Sequence, residues 1–193
     1  NVYIAVDQRM TMFFGSTDKM KSVIASELAA LMAWRVIETG DRVGALIYND
    51  TDIKVIPAKR GRQHVIGILA ELIKKNHELQ LSEKDENVTN QSFSRSFNQM
   101  LAKLSNISGH NSLVILITDG HGWDDQSSDY IKKIRQHSEV IACHVSDPLE
   151  MNLPEMSQMV VSDGKSQIQF SSQNKATQNK YQAEMNKISE RLA

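Results

Sequence analysis

The stretch ITDGHGWDD, residues 117–125, decides how the chain is read. It completes an apolar run, Leu113–Ile117, and delivers it to Thr118 and Asp119, followed by a glycine-containing loop. A short, uninterrupted apolar run rich in branched side chains suits a strand buried on both faces. The opening VYIAVDQRMT, residues 2–11, repeats the pattern: Val2–Val6 is apolar, Asp7 ends it, and a polar loop follows. In open α/β sheets, ligands gather beyond the carboxyl ends of the strands, where the strand order reverses. Neighbouring strands lie about 4.8 Å apart, so Asp7 and Asp119 can converge there if the two strands are adjacent. Two converging carboxylates must be neutralised by a metal, a cation or a proton.

Between and beyond these strands the pattern alternates. Lys19–Thr39 is the longest expected helix, with Met20, Ile24, Leu28 and Leu31 at helical spacing. Gly15, Ser16, Thr17 and Asp18 offer turn and N-cap chemistry before it, and Gly40 is placed to end it. Arg42–Tyr48 and Asp52–Ile56 read as strands joined by Asn49-Asp50-Thr51, a connection too short for a parallel crossover, so they should form an antiparallel hairpin. Pro57 is expected to close the second of these strands, at a sheet edge. Further helices are expected over Gln63–His77, with Ile66, Leu69 and Ile73 on one face, and over Ser92–Ser105, with Phe93, Phe97, Met100, Leu101 and Leu104. The polar stretch Ser82–Gln91 between them reads as an exposed loop. Ser127–His137 should be helical and Glu139–Val145 a strand, while Asp147–Pro154, with two prolines, reads as irregular. Met159–Ser162 and Ser166–Phe170 suggest a small terminal hairpin, and Tyr181, Met185, Ile188 and Leu192 an amphipathic last helix, about Asn174–Leu192. The expected fold is therefore a single doubly wound α/β domain over residues 1–193. Its sheet is mostly parallel, with an antiparallel edge hairpin and helices on both faces.

Size and composition fit that reading. The 193 residues, 40% hydrophobic and 23% charged, suffice for one real core. A formal net charge of −1 gives no electrostatic case for nucleic acid or an anionic membrane as the main partner. The lone cysteine, Cys143, excludes an internal disulfide and reads as a small buried apolar residue. No apolar run approaches the ~18–20 residues of a membrane helix, and no signal peptide is visible. The start at Asn1, directly on a strand, suggests a domain cut from a longer chain, for which a membrane anchor is one option. A cytoplasmic location is expected for this segment.

The order of strand, aspartate loop, long helix, GDRVG, hairpin and ITDG strand resembles a von Willebrand factor A domain. More narrowly, VDQRMTMFFGS and KMKSVIASELAALMAWRVIETGDRVGALIYND are similar to domain-of-unknown-function family 58, as are DPLEMNLPE (147–155) and the strand pair Met159–Phe170. That resemblance implies a bacterial protein encoded near MoxR-type AAA+ ATPases. In A domains the first loop reads D-x-S-x-S and holds a metal-ion-dependent adhesion site, completed by a second-loop threonine and an aspartate after the fourth strand. Carried over residue by residue, Asp7 matches the first aspartate, Thr11 stands in for the second serine, and Asp119 matches the last aspartate. Thr89, Gln91 and Ser92 are all candidates for the second-loop position. The first serine is replaced by Arg9.

That replacement matters chemically. Mg²⁺ wants near-octahedral oxygen ligands, and a guanidinium donates hydrogen bonds but accepts none. Arg9 can instead pair with Asp7 or Asp119 and supply the metal's charge, or it can point into solvent and leave a vestigial site. The expected metal ligands, if Mg²⁺ binds, are Asp7, Thr11 and Asp119. His121, Asp124 and Asp125 form another local cluster, read as solvated loop polars, although a hydrolase would want it as ligands. Lys59, Arg60 and Arg62 read as an ordinary basic turn. Trp123 can either anchor a partner or fold onto the neighbouring helix. There is no nucleophile elbow, Walker sequence or dinucleotide fingerprint.

The expected function is a non-enzymatic interaction module, an adaptor working with a MoxR-type AAA+ ATPase. Asp7, Arg9, Thr11, Asp119 and Trp123 would shape its docking face. The rival readings are a metal-dependent hydrolase using Asp7, Asp119 and His121, and a purely structural domain of a membrane-anchored protein.

Overall fold

A computed structural model describes residues 1–79, 90–151, 159–162 and 167–170, together with Ala183, Lys187, Ile188 and Glu190. Thr89 lies outside the described residues, as do the side chains of Gln91 and Ser92 and most of the expected last helix.

Five strands form the main sheet: β1 (Val2–Asp7), β2 (Val43–Tyr48), β3 (Ile53–Lys59), β4 (Ser112–Thr118) and β5 (Ser138–His144), in the order β3-β2-β1-β4-β5. β1 pairs in parallel with both β2 and β4, β4 with β5, and only β3 runs antiparallel. The order therefore reverses between β1 and β4, and the strands ending in Asp7 and Asp119 are neighbours, as the sequence predicts. A separate antiparallel pair, β6 (Met159–Ser162) and β7 (Gln167–Phe170), matches the expected terminal hairpin.

Helices cover both faces. α1 (Lys21–Glu38) and α2 (Arg62–Glu78) lie over one, and α3 (Asn90–Ile107) and α4 (Asp125–Arg135) over the other. α5 (Pro148–Met151) is a single turn within the stretch expected to be irregular. Alternation along each strand feeds two cores: Ile4, Val6, Ile115 and Ile117 point towards α1, while Ala5, Leu46 and Leu116 point towards α3. Phe97, Met100, Leu101 and Leu104 of α3 are buried, as its periodicity predicts.

The faces of α1 and α2 come out differently from their sequence reading. α1 buries Ala25, Ala29, Ala33 and Val36, while Ile24 and Leu31 are 39% and 69% exposed. α2 buries Val65, Ile68 and Leu72, and leaves Ile66 and Ile73 exposed. Both helices carry two overlapping apolar stripes. In α1 the alanine stripe wins because small side chains bring the helix axis close to the sheet, leaving the longer residues on the outer flank. The N-cap also differs: it is Met20, with no side-chain cap.

Pro57 does not close β3. The strand continues to Lys59 through a register shift opposite Gly44, so that three steps on β3 (Ile56 to Lys59) match two on β2 (Ala45 to Val43). A bulge on an edge strand tolerates a residue without an N–H. Gly44 is needed there, since a Cβ would lie 2.8 Å from both Ile56 O and the Tyr3 ring and 2.9 Å from Ala58 N. Backbone on one side cannot retreat without breaking the edge pairing. Gly44→Ala should lower stability by about 1–3 kcal/mol, read from urea unfolding.

Candidate functional site

The carboxyl ends of β1 and β4 carry a cluster of buried charge. Asp7 and Arg9 are fully buried, Lys21 is 1% exposed and Asp119 3%. A buried ion is stable only when paired and hydrogen-bonded, and each of these is.

Asp7 Oδ1 accepts from the backbone N and the Nε of Arg9, both at 3.0 Å, and Oδ2 accepts from Arg9 Nη2 at 2.6 Å and Thr118 Oγ1 at 2.6 Å. This is a two-pronged guanidinium–carboxylate clamp made two residues apart within one loop. Arg9 Nη1 donates to Phe93 O of α3 at 3.0 Å, and the guanidinium carbon stands 5.4 Å and 5.3 Å from the ring centres of Tyr48 and Phe97. Arg9 thus points inward, fastening the first loop to α3, with aromatic faces completing its cage. Burial works against the guanidinium's charge, but Asp7, in full contact, outweighs it and holds Arg9 protonated more firmly than a free arginine.

Arg9 Nη2 also lies 3.7 Å from Asp119 Oδ1, so it bridges the two strand-end carboxylates. The other oxygen, Asp119 Oδ2, accepts from Lys21 Nζ at 3.1 Å, and the same ammonium donates to Glu150 Oε1 at 2.6 Å. His121 N donates to Asp119 Oδ1 at 3.0 Å, and its Nδ1 stands 3.5 Å from Oδ2, a longer contact than that of Lys21. Burial favours the neutral form of Asp119; the His121 contact and the Lys21 and Arg9 cations outweigh it and hold the carboxyl well below the usual carboxylate range.

Short connections seat these groups. Asp147, just before α5, accepts from Ser16 N at 2.8 Å and from Ser16 Oγ, tying the loop before α1 to the turn that carries Glu150. Met10 N donates to Asp50 Oδ2 at 2.7 Å, anchoring the first loop to the β2–β3 turn. After β4, Gly122 has φ +80°, and a Cβ there would meet the Phe93–Ser94 backbone at 2.7 Å. Glycine lets that loop lie directly on α3.

A divalent cation does not fit this arrangement. All four oxygens of Asp7 and Asp119 already accept hydrogen bonds, and two fixed cations face the space that a metal would share. Among the described residues no group of three His, Cys, Asp or Glu side chains is assembled for a metal. Asp7, Thr11 and Asp119 thus do not form the ligand set expected for Mg²⁺. Thr11 Oγ1 is buried without a hydrogen-bond partner.

The direct docking roles expected of Asp7, Arg9 and Asp119 also need correction, because their side chains are enclosed and cannot meet a partner's carboxylate in this arrangement. Trp123 folds inward rather than standing out as an anchor. Its ring centre lies 5.6 Å from that of Phe97, and Nε1 donates to Ser128 Oγ at 2.8 Å. Asp124 is the N-cap of α4, accepting from Ser127 N at 2.9 Å, which takes it away from His121 chemistry. Lys59, Arg60 and Arg62 are exposed, and Cys143 is half-buried with its thiol pushed up by burial.

The sequence matches, over residues 1–191, the family described as protein of unknown function DUF58. The chain belongs to that family. Among solved structures, this DUF58 domain is similar to BatB from Bacteroides thetaiotaomicron, at 16% identity and a TM-score of 0.55 over 96% of this chain and 86% of that one. That likeness supports the fold. An aerotolerance-related membrane protein from Bacteroides fragilis matches at 15% identity and a TM-score of 0.48, covering 96% and 87% of the two chains. The SpRpn10 VWA domain matches at 11% identity and a TM-score of 0.37, covering 75% and 88%. No curated protein matches the chain. Among the described residues, no helix of this DUF58 domain is long and apolar enough to cross a membrane.

Lys21 and Glu150 are the members of the cluster that the sequence reading passes over. A signal for Lys21 exists: it opens α1, where the helix dipole disfavours a cation, with no acidic residue in the first turn to balance it. A lysine in that place needs carboxylates from elsewhere in the fold.

Proposed function

We propose that this DUF58 domain is a non-enzymatic protein-interaction module that docks through the rim of the strand-end face. Its partner is a MoxR-type AAA+ ATPase acting in the assembly or maturation of other proteins, and the domain works on the cytoplasmic side of the membrane. The observation that carries the reading is an apolar rim beside a closed polar centre. Phe14 and Met20 are each 37% exposed in the loop before α1, and Ile24 and Leu31 continue outward along that helix. Four of the seven large apolar side chains that are exposed among the described residues fall between Phe14 and Leu31, the others being Ile66, Ile73 and Ile141, and that concentration in one stretch supports an interaction surface. The enclosed cluster makes the rim rigid, which limits the ordering cost of docking. The nature of the partner rests on the resemblance of residues 2–49, 114–120 and 147–155 to a family often encoded beside such ATPases.

The test is a pull-down with purified components: this domain as bait and the MoxR-type ATPase of the same genome as prey, with and without ATP. Wild type should capture the ATPase, and Ile24→Asp/Leu31→Asp should abolish capture without lowering the melting temperature. No capture by wild type in either nucleotide state, or undiminished capture by the double variant, overturns the reading.

A further inference from the structure

The buried cluster carries an inference that is independent of the docking reading. Two side-chain cations, from different elements, serve the two strand-end carboxylates. Arg9 Nη2 contacts Asp7 Oδ2 at 2.6 Å and lies 3.7 Å from Asp119 Oδ1, placing positive charge between the two aspartates. Lys21 Nζ takes Asp119 Oδ2 at 3.1 Å from the side of α1. Together they bring two positive charges to Asp7 and Asp119, the charge that one divalent cation would bring. The oxygens around them are of the hard kind that Mg²⁺ and Mn²⁺ prefer: two carboxylates and the Thr118 hydroxyl that donates to Asp7.

We propose that Arg9 and Lys21 jointly hold the position and charge of a divalent cation, so that the site excludes metal while either remains and becomes a Mg²⁺ or Mn²⁺ site only when both are removed. The two cations are not redundant. Without Arg9, Lys21 still occupies an oxygen of Asp119 and repels an incoming cation at short range inside a buried site, where screening is weak. Without Lys21, the Arg9 clamp still occupies both oxygens of Asp7. Each cation also comes from a separate anchor: Arg9 is fixed by Phe93 O on α3, and Lys21 by Glu150 on the turn after β5. Removing one therefore does not release the other.

The experiment compares wild type, Arg9→Ser, Lys21→Ala and Arg9→Ser/Lys21→Ala by calorimetric titration with MgCl₂ and with MnCl₂, and by thermal unfolding in the absence and presence of each salt. Wild type and both single variants should give no saturable heat and no metal-dependent rise in melting temperature. The double variant should bind with a millimolar or lower dissociation constant, and its melting temperature should rise with metal concentration, as it must for any ligand that prefers the folded state. If the double variant folds only when metal is added, that rescue counts equally in favour. Saturable binding by wild type or by either single variant overturns the proposal. So does a double variant that folds but binds neither metal, or one that neither metal restores.

Discussion

Replacing Arg9 with methionine should destabilise the domain by about 3–5 kcal/mol, the cost of leaving one member of a buried ion pair without the other. Arg9 is fully buried, and Asp7 would lose three of the four hydrogen bonds it accepts if the loop also relaxed, or two if the backbone N–H stayed in place. The loss has two sources that can be separated. One is the orphaned Asp7 charge; the other is the bond to Phe93 O and the packing against Tyr48 and Phe97. Adding Asp7→Asn to Arg9→Met removes the first source only, and should recover at least about 1 kcal/mol relative to Arg9→Met alone, because contacting residues do not contribute additively. Urea unfolding of the wild type and both variants reads both effects. A cost for Arg9→Met below about 1 kcal/mol, the level of an exposed pair, would mean that Arg9 is solvated.

Replacing Lys21 with methionine should cost about 3 kcal/mol by the same reasoning, since Lys21 and Asp119 are both buried. It should also change how stability depends on pH. Asp119 is held below the usual carboxylate range, so its folded form binds a proton less readily than its unfolded form. Its contribution is therefore present above the unfolded pKa, about 3.9 for an aspartate, and is lost as pH falls through the lower folded value. Without Lys21, the burial that disfavours the Asp119 charge meets less opposition, and the folded pKa rises. The acid limb of the stability curve should then be shallower in Lys21→Met than in wild type, because the folded and unfolded values lie closer together. Unfolding midpoints from pH 7 down to about pH 3 test this. Parallel acid limbs in the two proteins would contradict the pairing of Lys21 with Asp119.

The architecture was largely legible in the sequence because its signals are local. Val2–Val6 and Leu113–Ile117 are too uniformly apolar to be anything but central strands, and each ends on its aspartate without ambiguity. Asn49-Asp50-Thr51 could only join an antiparallel pair, and β2 and β3 are one. What was not legible depends on orientation. α1 offers both an alanine stripe and a stripe of Ile24, Leu28 and Leu31, and periodicity alone does not say which lies closer to the sheet. Nor does it show that β3 can pass Pro57 by bulging opposite Gly44, because that depends on the partner strand.

At the site, Asp7, Arg9 and Asp119 were found from their positions at the strand ends, and pairing of Arg9 with the aspartates was one of two readings its chemistry allowed, the other leaving it in solvent. Their depth was not foreseen. Arg9 sits in a loop, where a charged side chain ordinarily reaches solvent; here α3 closes over it, and that contact joins residues 84 apart in sequence. Lys21 and Asp119 are 98 apart, and Lys21 and Glu150 129 apart. Such pairs leave no spacing pattern. Trp123 was open to two readings for a similar reason: an aromatic in a loop looks the same in sequence whether it meets a partner or, as here, Phe97.

The central claim is that Asp119, at the end of β4, is kept charged inside the protein by His121, Lys21 and Arg9. A carbon-13 NMR titration of the side-chain carboxyl of Asp119 tests it most directly. The account predicts that the Asp119 signal keeps its carboxylate position down to about pH 3, where a free aspartate is mostly protonated. A signal that titrates near the ordinary aspartate value, or above it, would contradict the claim and would mean that burial, rather than His121, Lys21 and Arg9, governs this end of the sheet.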